Sequence, residues 1–315
     1  MPSPFLFELL GFIVGLLFGS FLNVCIVRLP AHESVVEPRS HCMSCGHTIR
    51  WYDNLPLLSW LLLRARCRDC KAPIPWRYPA VELAVGLWFA LAGVKLWTAW
   101  MARGYIDTYR SVSDGMHNTA SVAEFAILGF LLIGLMVMDW RTMRLPDAFT
   151  LTGICIGVVL VCVQAFFLAP GEGDIVLNSS RQLRLASPGS FTAQGNVFLT
   201  GTEAMIMGRI AAIAGAALLL LTIRWLYKAI RKRDGMGLGD VKLLAMIAAF
   251  LGFGESLLAL FAGVIAASVY GVALVARGKA VGRTRLPLGS FIAAGGLFAA
   301  LLGWRLVDWY VGLLR

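Results

Sequence analysis

Eight apolar runs set the limits on how this chain can fold: residues 5–27, 79–101, 120–139, 148–168, 206–226, 240–253, 256–276 and 288–312. A helix needs about 20 such residues to cross the hydrocarbon core of a bilayer. Backbone groups in lipid have no water to bond, so segments like these fold as helices. The expected fold is an all-α polytopic membrane protein with about eight transmembrane helices. Composition agrees: 58% of residues are hydrophobic and 15% charged, against roughly 25% charged in soluble domains. The sixth run is short, and only "LGFGE" at 251–255 divides it from the seventh. No basic stretch precedes the first run and no small-residue cleavage site follows it, so it reads as a membrane helix and not a signal peptide.

The net charge of +10 is informative by location. Lys and Arg collect on the cytoplasmic side of membrane helices. Arg64, Arg66, Arg68 and Lys71 lie between the first and second runs, and Arg141 and Arg144 follow the third. Lys228, Arg231 and Lys232 follow the fifth, and Arg277 and Lys279 the seventh. These are alternate connections, so the N-terminus is expected outside and residues 28–78 in the cytoplasm. That rule accounts for the basic excess, and no nucleic-acid partner is expected. The outer connections 102–119 and 169–205 are rich in Ser, Thr, Asn, Gly and Gln and read as exposed loops without chemistry. The chain divides into a first membrane helix (1–27), a cytoplasmic four-cysteine domain (28–78) and a seven-helix core (79–315).

Within 28–78, "CMSC" and "CRDC" place Cys42, Cys45, Cys67 and Cys70 in two C-x2-C pairs. Each pair offers two thiolates to one metal, and four thiolates close a tetrahedral Zn²⁺ site. Two disulfides are the other reading, which a reducing cytoplasm disfavours. A closed four-sulfur site is structural. His41 and His47 flank the first pair and are alternative ligands. Trp51, Trp60, Trp76, Tyr52 and Tyr78 are expected to pack this domain and rest it at the membrane interface. Cys25, Cys155 and Cys162 fall inside membrane runs and read as buried small residues.

Ionisable residues at membrane depth are functional candidates by default. Most acids here, Glu124 among them, fall near the ends of runs. Asp147 follows a proline and precedes an apolar run, where a capping residue belongs. Asp139 ends the third run, facing the negative end of its own helix dipole, an unfavourable place unless something else is gained. Asp240 starts the sixth run in "GMGLGD", so a cap is possible there too. The charge topology puts Asp139 and Asp240 at the same cytoplasmic boundary. Two carboxylates that meet in a low-dielectric site can share a proton and divide the roles of acid and base on a bound water. Gly237 and Gly239 would then give clearance to an extended substrate backbone. A proton-coupled transporter is the alternative, and it predicts acids spread through the bilayer depth.

Several stretches resemble the type IV prepilin peptidases, a family of GxGD-type intramembrane aspartic proteases: "GSFLNVCIVRLP" (19–30), the four-cysteine segment 40–83, "MDWRTMRLPD" (138–147), "GMGLGDVKLLA" (235–245) and "RLPLGSF" (285–291). The resemblance implies Asp139 and Asp240 as catalytic aspartates, Asp147 as a non-catalytic neighbour, and Cys42, Cys45, Cys67 and Cys70 as zinc ligands. It implies prepilin or pseudopilin substrates cleaved at the cytoplasmic face of the bacterial inner membrane. It also implies methylation of the new N-terminus with S-adenosylmethionine as donor. Gly237, Gly239, Lys242 and Glu82 are the expected substrate-side residues, Glu82 as a receiver for a basic leader. Ala65 and Pro75 stand where the family usually has glycine and serine, and both outer connections look longer than usual.

Overall fold

The computed structural model describes residues 3–101, 108–167, 175–177, 183–185, 201–232, 236–278 and 286–313. Helix α1 (Pro4–Arg28) leads into a small domain with a short helix α2 (Leu58–Leu62). The helices α3 (Arg77–Met101), α4 (Thr108–Thr142), α5 (Asp147–Phe166), α6 (Gly201–Arg231), α7 (Leu238–Leu251), α8 (Phe253–Ala276) and α9 (Leu288–Leu313) follow. With α1 they account for all eight predicted apolar runs. Six of them, α1, α3, α4, α5, α6 and α8, are long and apolar enough to cross a membrane by themselves. A three-residue antiparallel pair, Ile175–Leu177 with Leu183–Leu185, lies in the second outer connection. The rest of that connection falls largely outside the described residues.

One boundary differs from expectation, and one weakly marked division is present where expected. Helix α4 starts at Thr108, inside the segment expected to be a loop, and runs 35 residues. Polar residues such as His117 and Asn118 continue a helix beyond the hydrocarbon without cost, so an apolar window underestimates its length. The division between α7 and α8 is real: Gly252, at φ 95, breaks the helix where only glycine is comfortable.

Small residues set the helix contacts. A Cβ on Gly15 would lie 2.6 Å from that of Phe89, and one on Gly19 2.7 Å from the Glu82 Cα. Gly11, Gly15 and Gly19 thus form a four-residue repeat on α1 that lets α3 pack backbone to backbone, as close-packed membrane helices do. Helix α7 sits at the centre and touches α4, α5, α6, α8 and α9. Its residues Val241 and Leu243–Phe250 are all buried. A helix apolar on every side belongs in the middle of a bundle. At 14 residues it is about 21 Å long, short of the roughly 30 Å hydrocarbon core.

That shortness has an answer at the far end of α7. The Arg209 Nη1 of α6 donates to the Phe250 carbonyl at 2.6 Å, one of the acceptors a helix end leaves open. Its Nη2 lies 3.8 Å from Glu124 of α4, and Glu124 accepts from Gln164 of α5 at 2.6 Å. Glu124 is therefore buried in a four-helix polar cluster, not solvated at a segment end as its sequence position suggested.

Candidate active site and metal centre

Asp139 and Asp240 reach one place from opposite directions. Asp139 lies in the last turn of α4, whose end is marked by Met143 in the left-handed region (φ 51), its N–H bonded to the Asp139 carbonyl at 2.8 Å. A short turn then starts α5 at Asp147. Asp240 lies in the first turn of α7, behind Gly237, the residue before the helix. Both side chains are buried, and Asp240 is within electrostatic range of Asp139.

Each carboxylate faces a backbone N–H at a helix start. Asp139 Oδ2 accepts the Ser290 N–H at 2.7 Å and lies 3.0 Å from the Ser290 hydroxyl. Ser290 is in the first turn of α9, where N–H groups are unpaired and the helix dipole is positive. The unfavourable dipole of α4 is thus offset by the favourable one of α9. The Gly237 N–H faces the Asp240 carboxylate, the place of the reciprocal half of a capping box. Asp240 is both a helix-start residue and a member of the carboxylate pair.

The glycines around the pair have different surroundings. A Cβ on Gly289 would stand 3.0 Å from Asp139 Oδ2 and 2.9 Å from a Leu145 methyl. One on Gly239 would stand 3.1 Å from the Leu145 Cβ. Leu145, in the α4–α5 turn, therefore bridges the starts of α7 and α9. Gly237 is exposed and open on its outer side. Ser290, Gly289 and Leu145 escaped the sequence reading, although Gly289 and Ser290 lie within "RLPLGSF".

The other predicted residues fall nearby or elsewhere. Asp147 is the first residue of α5, with Pro146 in the capping position and no cap bond from its side chain, so the expected cap is absent. Its carboxylate instead pairs with Lys242 at 2.6 Å. Glu82 lies on α3 near Ser20 of α1 and accepts the Leu57 N–H at 2.9 Å. It joins α1, α3 and the small domain. Cys155 and Cys162 are exposed on the bundle surface, not buried; Cys25 is buried as expected.

In the small domain the sulfurs of Cys42, Cys45, Cys67 and Cys70 all lie within 4.8 Å of one another. Cys42 and Cys70 are 3.8 Å apart. That is close to the edge of a tetrahedron with metal–sulfur bonds of about 2.3 Å, and far beyond a disulfide at about 2.05 Å. The two pairs are near copies. Cys42 accepts from Gly46 and donates to His47, and Cys67 accepts from Lys71 and donates to Ala72, all through the backbone. Gly46 and Lys71 both take left-handed φ, 72 and 59. His41 and His47 stand outside the sulfur cluster. The backbone N–H groups of Cys45 and Ser44 hold the Cys42 thiol down at about 6. For Cys70 the Ala72 N–H pulls the same way, but desolvation and the Cys45, Cys67 and Cys42 sulfurs outweigh it, and its thiol is pushed up to about 12. Four crowded thiols cannot all ionise alone, and a divalent cation removes that conflict. Arg68 grips Asp53 through Nε at 2.8 Å and Nη2 at 2.6 Å, tying the second pair to the Trp51–Asn54 turn.

Comparison with known proteins fits this arrangement. Residues 13–96 match the Bacterial Peptidase A24 N-terminal domain, and residues 187–272 match the Type IV leader peptidase family. The chain is 34% identical over 290 residues to the prepilin leader peptidase/N-methyltransferase of Myxococcus xanthus (strain DK1622), covering 90% of this chain and 69% of that one. The chain belongs to the type IV leader peptidase family. Relatives of the same name from Stutzerimonas stutzeri and Aeromonas hydrophila are each 29% identical, covering 99% and 98% of this chain and 96% and 95% of theirs. No solved structure matches. The first family match takes in α1, the four-cysteine domain and most of α3; the second takes in Asp240 and α7. The transporter alternative gains no support from these relatives.

Proposed function

We propose that this leader peptidase family member is a membrane aspartic endopeptidase that removes the leader of a prepilin or pseudopilin, with Asp139 and Asp240 as its catalytic pair. The observation that carries the reading is the meeting of two buried carboxylates from helix ends a hundred residues apart in sequence. The ionised aspartate takes a proton from water, and the resulting hydroxide attacks the scissile carbonyl. The protonated aspartate donates to the carbonyl oxygen. Collapse of the tetrahedral intermediate passes a proton to the leaving amine and restores the pair. The basic clusters support placing this boundary, and residues 28–78, on the cytoplasmic side of the bacterial inner membrane. Gly237 then offers the substrate backbone an edge without a side chain, whereas the clearance expected at Gly239 is taken up by Leu145; Lys242 and Glu82 flank the path.

The relatives' name supports a second activity, transfer of a methyl group from S-adenosylmethionine to the new N-terminal amine. The sulfur geometry supports Zn²⁺ held by Cys42, Cys45, Cys67 and Cys70, a closed site that braces the small domain.

Mass spectrometry of a prepilin-like substrate after incubation with purified protein, with and without S-adenosylmethionine, tests both activities. Cleavage at the leader boundary is expected, with a methyl group added only when the donor is present. Asp139→Asn and Asp240→Asn should each abolish cleavage in protein that still inserts. Cleavage retained by either would overturn the assignment.

A further inference from the structure

The small domain carries a surface poorly suited to water. On α2, Leu58, Leu61 and Leu62 are 58%, 63% and 79% exposed, and Trp76, at the foot of α3, is 75% exposed. Trp60, by contrast, turns inward and donates to the Ile74 carbonyl at 3.2 Å. The domain is therefore packed by some of its aromatics, while its leucines and Trp76 are left outside. Beside the leucines, Leu62, Leu63, Arg64, Arg66, Arg68 and Lys71 line, together with the metal-site residue Cys67, a cleft of about 480 Å³. Arg68 is committed to Asp53. Among the described residues no carboxylate lies within ion-pair distance of Arg64, Arg66 or Lys71.

We propose that this face docks on the inner leaflet, with the leucines and Trp76 in the headgroup region and Arg64, Arg66 and Lys71 holding the phosphate of an anionic phospholipid. The inference rests on the cytoplasmic placement of residues 28–78. The domain hangs between the end of α1 at Arg28 and the start of α3 at Arg77, so it cannot leave the membrane surface. An apolar face rimmed by basic residues is the signature of an interfacial segment, and anionic lipid attracts such clusters. A cationic leader is repelled by the same cleft, which argues against the substrate as its occupant. The Glu82–Leu57 bond fixes the residue just before α2 to α3, so the docked segment is rigidly joined to a membrane helix.

The test uses full-length protein carrying a benzophenone amino acid at position 62, in nanodiscs of phosphatidylcholine with or without phosphatidylglycerol. After illumination, mass spectrometry should find phospholipid adducts, with phosphatidylglycerol captured beyond its share. Arg64→Gln, Arg66→Gln and Lys71→Gln together should erase that enrichment, by about fivefold for each charge removed, and leave phosphatidylcholine adducts in place. Absence of lipid adducts, equal capture of both lipids, or an adduct to added prepilin in place of lipid would overturn the proposal. Leader cleavage measured on the same discs reports on the aspartates separately, so failure of one reading is distinguishable from failure of the other.

Discussion

Ser290 offers Asp139 two groups on one oxygen, its backbone N–H at 2.7 Å and its hydroxyl at 3.0 Å. The same hydroxyl lies 2.9 Å from the Met136 carbonyl. It has one proton and two acceptors. When Asp139 is ionised, the hydroxyl can donate to it. When Asp139 carries a proton, the hydroxyl can accept that proton and donate to Met136 instead. Under the proposed reading, in which Asp139 changes protonation state during turnover, it keeps a partner in both states.

Ser290→Ala is therefore expected to slow leader cleavage about tenfold or more, the loss of a hydrogen bond to a charged group. The effect should appear in kcat with KM little changed, because the serine touches the aspartate and not the substrate. Steady-state kinetics on a prepilin-like peptide decide it. An unchanged kcat would remove Ser290 from the mechanism.

Asp147→Asn should behave differently from Asp139→Asn although the two acids are neighbours in sequence. The Asp147–Lys242 pair is largely exposed, its side chains 60% and 34% accessible, and such pairs contribute about 0–1 kcal/mol. Cleavage within about fivefold of wild type is the expected result for either Asp147→Asn or Lys242→Gln. A loss as complete as that of Asp139→Asn would give this pair a chemical role.

Metal content should follow the thiols. Cys42→Ser with Cys67→Ser should remove stoichiometric zinc, read by atomic emission, while the membrane helices still insert. Metal binding needs thiolate, so protons compete as pH falls. The Cys45 and Ser44 N–H groups hold the Cys42 thiol low, at about 6, so thiolate is available at neutral pH and is lost as pH falls. Zinc release into a chromogenic chelator should accordingly be slight at pH 7 and rise on acidification. Release that increases toward alkaline pH would contradict a thiolate site.

Arg209→Ala leaves Glu124 buried without its ion-pair partner, with Lys95 as the remaining nearby cation, and the Phe250 carbonyl without its donor. Breaking a buried pair in this way costs about 3–5 kcal/mol, seen as a lower unfolding temperature in detergent. Glu124→Gln in the same chain should recover much of the loss, since it removes the stranded charge. If the double variant is no better than the single one, the pair is not the reason for the loss.

Much of this was legible in the sequence, and what was not has identifiable causes. The four-cysteine site could be read because its information is local: two short turns each bring two sulfurs together. The eight apolar runs could be read because lipid imposes length and composition. Asp139 was legible only as a contradiction, an acid at the wrong end of a dipole. Its resolution, the start of α9, lies 151 residues away in Ser290, and no spacing rule connects them. Glu124 was misjudged because α4 begins at Thr108, which moves the residue from the edge of a helix toward its middle. Asp147 was misjudged by one position, since Pro146 occupies the capping place.

Helix α7 is walled in along most of its length, and only its beginning, from Gly237 to Lys242, reaches the surface. A neighbouring protein diffusing in the lipid meets helix flanks everywhere except at that mouth. Under the proposed reading, its apolar stretch stays parked outside while the polar segment just beyond crosses to the aspartates. Bystander membrane proteins are then spared by where their bonds lie in depth, before any side chain is inspected. Selectivity of this kind is a property of address more than of recognition.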